Sequence, residues 1–325
     1  MHVVRVVGHA DAVVSVRPKK RNNHVGSPKS LPEKRTVPQH VRTGPSHVQF
    51  DHIDALIELK PRDHEVMIRT EDIEKTISDY GDSIALIFMG GVNYYSGQAF
   101  EMERIVQAGH AKGCVVGFDL AHAAGNLILN LHDWDVDFAV WCTYKYLNSG
   151  PGGIAGCFVH ERHIKNPGLP RFAGWWGHDK KTRFLMPSDF VPMPTAEAWQ
   201  LSNPPIFQLA GLDAALEMFD EVGMKKSRAK SVQLTGYLES LLDQISDKKI
   251  SIITPRDPNQ RGCQLSIRVK EKGKLLYKKL AKQGAICDWR EPNVIRVAPV
   301  PLYNSFLDVY NFYEIFRQAT LEADK

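Results

Sequence analysis

The hydrophobic pattern of this chain contains two short apolar runs that each end near a polar group. The first run, Cys114–Phe118, ends at Asp119, and the second run, Asp137–Cys142, ends shortly before Lys145. Their separation along the chain suits one strand–helix–strand crossover. Because parallel strands end at the same edge of a sheet, where open α/β sheets bind ligands, we expect Asp119 and Lys145 to lie close together.

Other strands and helices alternate around these two runs. Ser83–Met89 is almost continuously apolar, which is typical of a strand buried on both faces. A helix starting at Thr70 precedes it, the helix Phe100–Ala111 follows it, and a further strand is expected at Ile154–His160. This alternation predicts an α/β fold with a doubly wound, mostly parallel sheet.

The last third of the chain predicts a smaller α+β domain beside the large sheet. Its strands and helices follow two long helices that continue from the large domain. The expected elements are the helices Ile206–Phe219 and Met224–Leu242, the strands Ile250–Thr254 and Cys263–Val269, the helix Lys272–Gln283, the strands Ala285–Asp288 and Asn293–Ala298, and the helix Phe306–Ala319. We therefore divide the chain into residues 1–52, 53–222 and 223–325.

The first of these segments, residues 1–52, is basic and rich in proline. Arg17–Arg42 contains eight Lys and Arg residues and a single acid, Glu33, so we expect a largely disordered or loosely attached segment. A solvated tail without a role is the favoured interpretation. The alternatives are a basic arm that touches nucleic acid or acidic surfaces and an organellar transit peptide.

The composition indicates a soluble globular protein. A chain of 325 residues has room for one large and one small domain, and 43% hydrophobic with 24% charged residues is ordinary for this class. The net charge of +4 is too small to indicate a nucleic-acid partner. Five scattered cysteines without CxxC spacing indicate reduced thiols and a cytoplasmic protein. We expect no membrane span, no secretory signal and no metal site.

An acid and a lysine at neighbouring strand ends suit one cofactor in particular. A lysine amine condenses with the aldehyde of pyridoxal phosphate, and an acid such as Asp119 keeps the ring nitrogen of that cofactor protonated. Lys145 would then hold the aldehyde carbon. From these two residues alone, a strand-end salt bridge is an equally good interpretation.

Five motifs resemble those of kynureninase, a pyridoxal-phosphate-dependent hydrolase. They occur in the family's order between about Ala55 and the end of the chain, and they read GFDLAHAAGN, CTYKYLNSGPGGIAG, GWWGHDKKTRF, LSNPPI and IRVAPVPLYNSF. The resemblance implies the type I pyridoxal-phosphate fold, with residues 53–222 as part of the large cofactor-binding domain. It also implies a homodimer that takes a small-molecule substrate.

The implied reaction is the hydrolytic cleavage of the Cβ–Cγ bond of L-kynurenine or 3-hydroxy-L-kynurenine. The products are anthranilate or 3-hydroxyanthranilate and L-alanine, in the kynurenine pathway of tryptophan catabolism and NAD biosynthesis. The resemblance makes Lys145 and Tyr144 catalytic and Arg296 the residue that binds the substrate carboxylate. The cofactor-binding residues that it implies are Asp119, His122, Tyr144, Lys145, Trp175 and Asn203.

Plainer interpretations of these residues exist beside the resemblance. His122 would otherwise be a structural histidine, Tyr144 a core tyrosine, Asn203 a turn residue and Arg296 a surface residue. The sequence also departs from the family pattern, which has Ser or Thr at the position of Gly90 and a longer portion ahead of the similar region. Two alternatives to kynureninase therefore stay open: an impaired fold remnant or dimer partner, and another type I enzyme such as a desulfurase or aminotransferase.

Overall fold

The structure, a computed structural model, describes residues 2–6, 12–16, 56–166, 168–245 and 249–323, the first two as strand backbones only. Most of the basic segment at the start of the chain therefore lies outside the described residues. Within the described part, no helix combines the length and the apolar character that crossing a membrane requires.

The large domain is built on one six-stranded sheet whose strands follow chain order. The three strands β3, β4 and β5 run parallel to one another, and every other neighbouring pair is antiparallel. The strands are β1 His2–Val6, β2 Ala12–Val16, β3 Ile84–Gly90, β4 Val115–Asp119, β5 Phe138–Cys142 and β6 Ala155–Val159. The sheet is thus mixed, and its parallel part carries the two apolar runs that the sequence singled out.

Burial of the central strands explains their near-continuous apolar sequence. Met89 on β3 and Phe118 on β4 have no solvent exposure, because two helices cover the sheet where these strands lie. These helices are α1, Thr70–Tyr80, and α2, Met102–Ala111, which bury Ile73 and Ile105 against the same core. The burial of parallel strands beneath helices confirms the predicted α/β class.

The connection between β4 and β5 is different from the prediction. A crossover helix was expected between the two runs, and that expectation is wrong, because residues 120–137 form a series of turns. The first turn cannot continue as a helix, since Gly125 has a φ angle of +77°. A Cβ atom at this glycine would lie 2.6 Å from the carbonyl oxygen of Tyr146, so the turn also packs closely on the loop that carries Lys145.

The small domain is an antiparallel sheet of order β7-β8-β10-β9 that packs against helices. Its strands are β7 Ile250–Ile252, β8 Leu265–Val269, β9 Asp288–Arg290 and β10 Val294–Val297. The helices after β6 are α3 Glu161–Ile164, α4 Ile206–Val222, α5 Met224–Leu242, α6 Gly273–Lys282 and α7 Phe306–Ala323. The predicted strand Ala285–Asp288 is misplaced, because pairing with β10 begins only at Asp288 and continues to Arg290.

The two domains meet at the segment Tyr94–Ser96, which follows β3. Small-domain side chains donate hydrogen bonds to three consecutive backbone carbonyls of this segment: Gln264 to Tyr94 at 3.0 Å, Ser266 to Tyr95 at 2.6 Å and Thr254 to Ser96 at 2.6 Å. Buried carbonyls need such partners, so this set of contacts fixes the small domain against the loop at the carboxyl end of β3.

At the opposite edge of the large sheet, a buried carboxylate joins several elements. Asp137, whose side chain is 6% exposed, accepts hydrogen bonds from the Val116 amide at 2.6 Å, from His110 at 2.8 Å and from His163 at 2.6 Å. Burial alone would raise the pKa of Asp137, but these hydrogen bonds outweigh it and hold the pKa below its ordinary value. The carboxylate therefore connects α2, β4 and α3 as long as it is ionised.

This arrangement predicts a loss of stability in acid. A carboxyl with a lowered pKa in the folded state stabilises the protein above its unfolded pKa of about 4, and that contribution disappears as the pH falls through the lower folded value. Asp137→Asn should remove about 2 kcal/mol from the free energy of unfolding at pH 7. It should also flatten the dependence of that free energy on pH below about 4.

Urea unfolding at several pH values measures both effects. Asp133→Asn is the matched control, since the Asp133 side chain is 83% exposed and its one ion pair within the described ranges is with His132. A variant at Asp137 that unfolds like the Asp133 control at every pH would contradict the prediction.

Candidate active site

Asp119 lies at the carboxyl edge of the parallel part of the sheet. It is the last residue of β4 and pairs in register with Gly90 on β3 and Val140 on β5. One carboxylate oxygen of Asp119 accepts the backbone N–H of Ala121 at 2.8 Å, which fixes the side chain at the start of the following turn. The acid therefore points out of a strand end at the edge that the sequence predicted.

The loop after β5 holds Lys145 at the same edge. Thr143 begins this loop, and its hydroxyl lies 2.7 Å from the hydroxyl of Ser149, close enough for a hydrogen bond between them. The Thr143 hydroxyl also donates to the carbonyl of Ile154, so both ends of the loop are tied together. These contacts fix the backbone on either side of Lys145 without using its amine.

The amine of Lys145 meets His122, which follows Asp119 in the turn after β4. The Nζ atom of Lys145 lies 3.1 Å from the Nε2 atom of His122. Burial, followed by the positive charges of Lys145, Arg296 and Arg290, lowers the pKa of His122 to about 3. His122 is therefore neutral at pH 7 and accepts a hydrogen bond from the lysine amine.

The second ring nitrogen of His122 is buried and has no hydrogen-bond partner among the residues that the structure describes. Since Nε2 accepts from Lys145, Nδ1 carries the ring proton, and a buried N–H without an acceptor is unfavourable. Among the described residues, Lys145 forms no ion pair with an acid; its contacts are His122 and the ring of Tyr144. The Lys145 amine can react with an aldehyde, and the buried Nδ1–H of His122 can donate a hydrogen bond to a polar atom. The two groups therefore fit a polar cofactor that carries an aldehyde.

Tyr144 lies beside Lys145 on the solvent side of the loop. Its side chain is 52% exposed, and its ring centroid is 5.9 Å from the Lys145 Nζ atom. The charge of Cys142 and a hydrogen bond with Cys142, together with burial and the charge of Asp119, raise the pKa of Tyr144. The phenol is therefore protonated at neutral pH and can donate a hydrogen bond to an anion.

Arg296 reaches the site from the small domain. It donates a hydrogen bond from Nη1 to the backbone carbonyl of Tyr94 at 2.6 Å and forms an ion pair with Asp288. The ring of Tyr94 lies 6.4 Å from that of His122, centroid to centroid, so Arg296 faces the same space as the Lys145–His122 pair. The structure thus brings together Asp119, His122, Tyr144, Lys145 and Arg296.

Trp175 and Asn203 belong to a separate segment, residues 168–205. This segment packs on itself: a Cβ atom at Gly174 would lie 2.3 Å from the Cα atom of Leu201. Within the described ranges, no hydrogen bond, ion pair or ring contact joins Trp175 or Asn203 to the Lys145 group, and Trp175 instead contacts the ring of Phe184. Their roles as cofactor contacts remain predictions.

Sequence reasoning missed three residues at this site: Tyr94, Asp288 and Arg290. The signal for Tyr94 was available, because it follows the buried strand β3 just as His122 follows β4. The other two lie on a strand of only three residues, where charged side chains resemble an exposed edge. Their importance depends on pairing with β10, which a single sequence does not show.

The mixed sheet and the small domain match the fold of type I pyridoxal-phosphate-dependent enzymes. A cysteine desulfurase from Thermococcus onnurineus superimposes with a TM-score of 0.65 at 18% identity, covering 81% of this chain and 66% of that protein. C-DES, solved with glycine covalently linked to its pyridoxal-phosphate cofactor, gives 0.64 at 18% identity, covering 75% and 63%. These likenesses confirm the predicted fold.

Within this class, the chain belongs to the kynureninase family. Residues 227–316 match the family profile described as Kynureninase C-terminal domain. Kynureninase from Koribacter versatilis is 59% identical over 267 residues, which cover 82% of this chain and 63% of that relative. Kynureninase from Flavobacterium psychrophilum is 49% identical over 330 residues, which cover 99% of this chain and 76% of that relative. The chain thus spans 63% of the length of the Koribacter relative, and the predicted family resemblance is confirmed.

Proposed function

We propose that this chain binds pyridoxal 5'-phosphate and hydrolyses the Cβ–Cγ bond of L-kynurenine and 3-hydroxy-L-kynurenine. The products are anthranilate or 3-hydroxyanthranilate and L-alanine, which places the protein in tryptophan catabolism and NAD biosynthesis. The observation that carries the proposal is the Lys145 amine beside neutral His122, at the edge of the sheet where β4 ends at Asp119 and where ligands bind in such folds. Identity with proteins named kynureninase over most of the chain supports it.

Each residue of the group has a distinct task in this proposal. When bound, pyridoxal phosphate supplies an aldehyde for amines and a ring that takes up an electron pair. The Asp119 carboxylate holds a proton on the ring nitrogen, and Lys145 holds the cofactor and then takes the α-proton of the substrate. The protonated Tyr144 hydroxyl donates to the phosphate, and the free N–H of His122 donates to an acceptor on the ligand.

The substrate is oriented from the small domain and the segment 168–205. The planar guanidinium of Arg296 can bind the α-carboxylate of an amino acid through two parallel hydrogen bonds. Trp175 supplies an aromatic surface, and Asn203 supplies an amide that is held away from helical geometry by the proline after it. We propose these two residues as contacts to the cofactor or to the aromatic end of the substrate.

We also propose that the protein is a cytoplasmic homodimer. Support comes from large apolar side chains that stand exposed on one part of the chain, including Phe172 at 82% and Phe207 at 85%. Further exposed residues of this stretch are Phe184, Leu185, Met186 and Ile206. Exposed apolar side chains that are frequent in one stretch favour an interaction surface there, and Trp175 and Asn203 lie in the same stretch. Sedimentation of the full chain measures the oligomeric state.

Turnover measurements on the full chain with added pyridoxal phosphate test the proposed reaction. We expect anthranilate fluorescence from L-kynurenine and no sulfide from L-cysteine. Sulfide release without anthranilate would favour another type I enzyme. Absence of both products, with a folded protein, would favour the fold remnant that the sequence left open. Borohydride reduction followed by mass spectrometry should find the cofactor attached to the peptide that contains Lys145.

A further inference from the structure

Three charged side chains lie on one face of the small sheet where it meets the site. Asp288 and Arg290 are two positions apart on β9, so they point to the same face. Asp288 stands directly opposite Arg296 in the register of β9 with β10. Because cross-strand partners on one face are within contact distance, these three charges form a fixed group rather than separate surface residues.

One carboxylate oxygen connects the two arginines of this group. The Oδ2 atom of Asp288 accepts a hydrogen bond from Nη2 of Arg290 at 2.8 Å and also pairs with Nη2 of Arg296. Arg296 is 11% exposed and is held from its other end by the carbonyl of Tyr94. The position of Arg296 is thus set by two contacts. One is with Asp288 on β9, and the other is with the Tyr94 carbonyl, where the two domains meet.

Both arginines face the space occupied by the ring of Tyr94. Their guanidinium carbons lie 5.8 Å (Arg290) and 6.0 Å (Arg296) from the centroid of that ring. The Nε atoms of both arginines are buried, and no group in the described part of the chain accepts a hydrogen bond from them. A buried donor on a charged group is unfavourable without an acceptor, so the pair is incomplete without an anionic or carbonyl-bearing group.

The charges of the group explain why two arginines are needed. Asp288 alone with Arg296 would be a neutral ion pair, which attracts a carboxylate only weakly. Arg290 adds a second positive charge, and the group of three then carries one net positive charge. That charge matches the single negative charge of a substrate carboxylate, and its effect reaches His122.

We propose that Arg290 and Asp288 complete the carboxylate site of Arg296: Asp288 orients Arg296, and Arg290 supplies the positive charge that Asp288 would otherwise cancel. This inference rests on the proposed function, since it takes an amino-acid carboxylate as the ligand. Asp288 is a positioning residue, because it acts on the ligand through Arg296, whereas Arg290 acts on the ligand through its positive charge.

Binding of L-alanine and of L-alaninamide, which lacks the carboxylate charge, tests the proposal without relying on turnover. The full chain with pyridoxal phosphate is titrated with each probe by calorimetry. We expect L-alanine to bind better than L-alaninamide. Arg290→Gln should raise the Kd of L-alanine about tenfold and leave the Kd of L-alaninamide unchanged, as for loss of one interaction with a charged group.

Three further variants separate the effects of charge and orientation from an effect on folding. Arg290→Lys keeps the charge and should restore most of the affinity for L-alanine. Arg317→Gln is the matched control, because Arg317 lies on α7 and its one ion pair with a described residue is the pair with Glu314. Asp288→Asn should also weaken L-alanine binding, because Arg296 loses the partner that orients it.

The proposal is overturned if Arg290→Gln binds L-alanine within twofold of the unaltered protein. It is equally overturned if affinity for L-alaninamide falls by the same factor, or if the unaltered protein does not distinguish the two probes. Failure of the proposed function gives a different result: kynurenine is not cleaved, while the selectivity for L-alanine and its loss in Arg290→Gln are still observed.

Discussion

Lys145→Ala should abolish cleavage of L-kynurenine, with a loss in kcat of about 10³-fold or more. The amine is the residue through which the cofactor is held and the group that removes the substrate proton, so two functions disappear together. The stability of the fold should change little, because the loop around Lys145 is tied by Thr143, Ser149 and Ile154 and not by the amine. Anthranilate fluorescence and a thermal unfolding curve measure the two quantities.

Lys145→Arg provides the control for charge. It keeps a positive group next to His122, but a guanidinium does not replace a lysine amine as a nucleophile. We therefore expect Lys145→Arg to be as inactive as Lys145→Ala and to give no cofactor adduct after borohydride reduction. Substantial activity in either variant would show that the amine at position 145 is not the reactive group, and the proposed function would fall with it.

Asp119→Asn should lower kcat by about 10²-fold or more while leaving the fold intact. An asparagine can still accept the N–H of Ala121 through its carbonyl oxygen, so the turn after β4 keeps its anchor. Only the negative charge is lost, and with it the group that keeps the cofactor nitrogen protonated. The expected effect is therefore on the chemical step, with a smaller change in KM.

The steady-state parameters of Asp119→Asn should be compared with those of Asp82→Asn. Asp82 is an exposed residue between α1 and β3 and serves as the matched control for an Asp-to-Asn change. Asp119→Ala removes both the charge and the acceptor, so it should also lower the unfolding temperature. If Asp119→Asn keeps the kcat of the control, the assignment of Asp119 as the partner of the ring nitrogen is wrong.

The sequence predicted the placement of the acid and the amine because that placement depends on a general rule. Buried apolar runs become parallel strands, and the residues after them come to one edge, as seen for Asp119 and Lys145. The close contact between Lys145 and His122 could not be predicted, because it requires the turn after β4 to fold back on the loop after β5. That fold depends on Gly125 and its left-handed backbone.

Elements whose position depends on partners were predicted less well. The helix Met224–Leu242 was confirmed to the residue, because its apolar spacing is internal to the segment. The strand expected at Ala285–Asp288 was misplaced, since its true position is set by the register of β10. The group of Asp288, Arg290 and Arg296 was not predicted for the same reason, because these residues come together only when β9 pairs with β10.

The Arg296 guanidinium forms two contacts that together couple its position to the orientation of the small domain. One of its nitrogens binds the Tyr94 carbonyl at the domain joint, where Gln264 binds the same carbonyl, and another meets Asp288 on the neighbouring strand. A rotation of the small domain must therefore also move the Arg296 guanidinium relative to Lys145 and His122. Gln264→Ala changes a contact between the two domains and not a residue of the Lys145 site. We expect it to move the Arg296 guanidinium and so to change the affinity for the ligand.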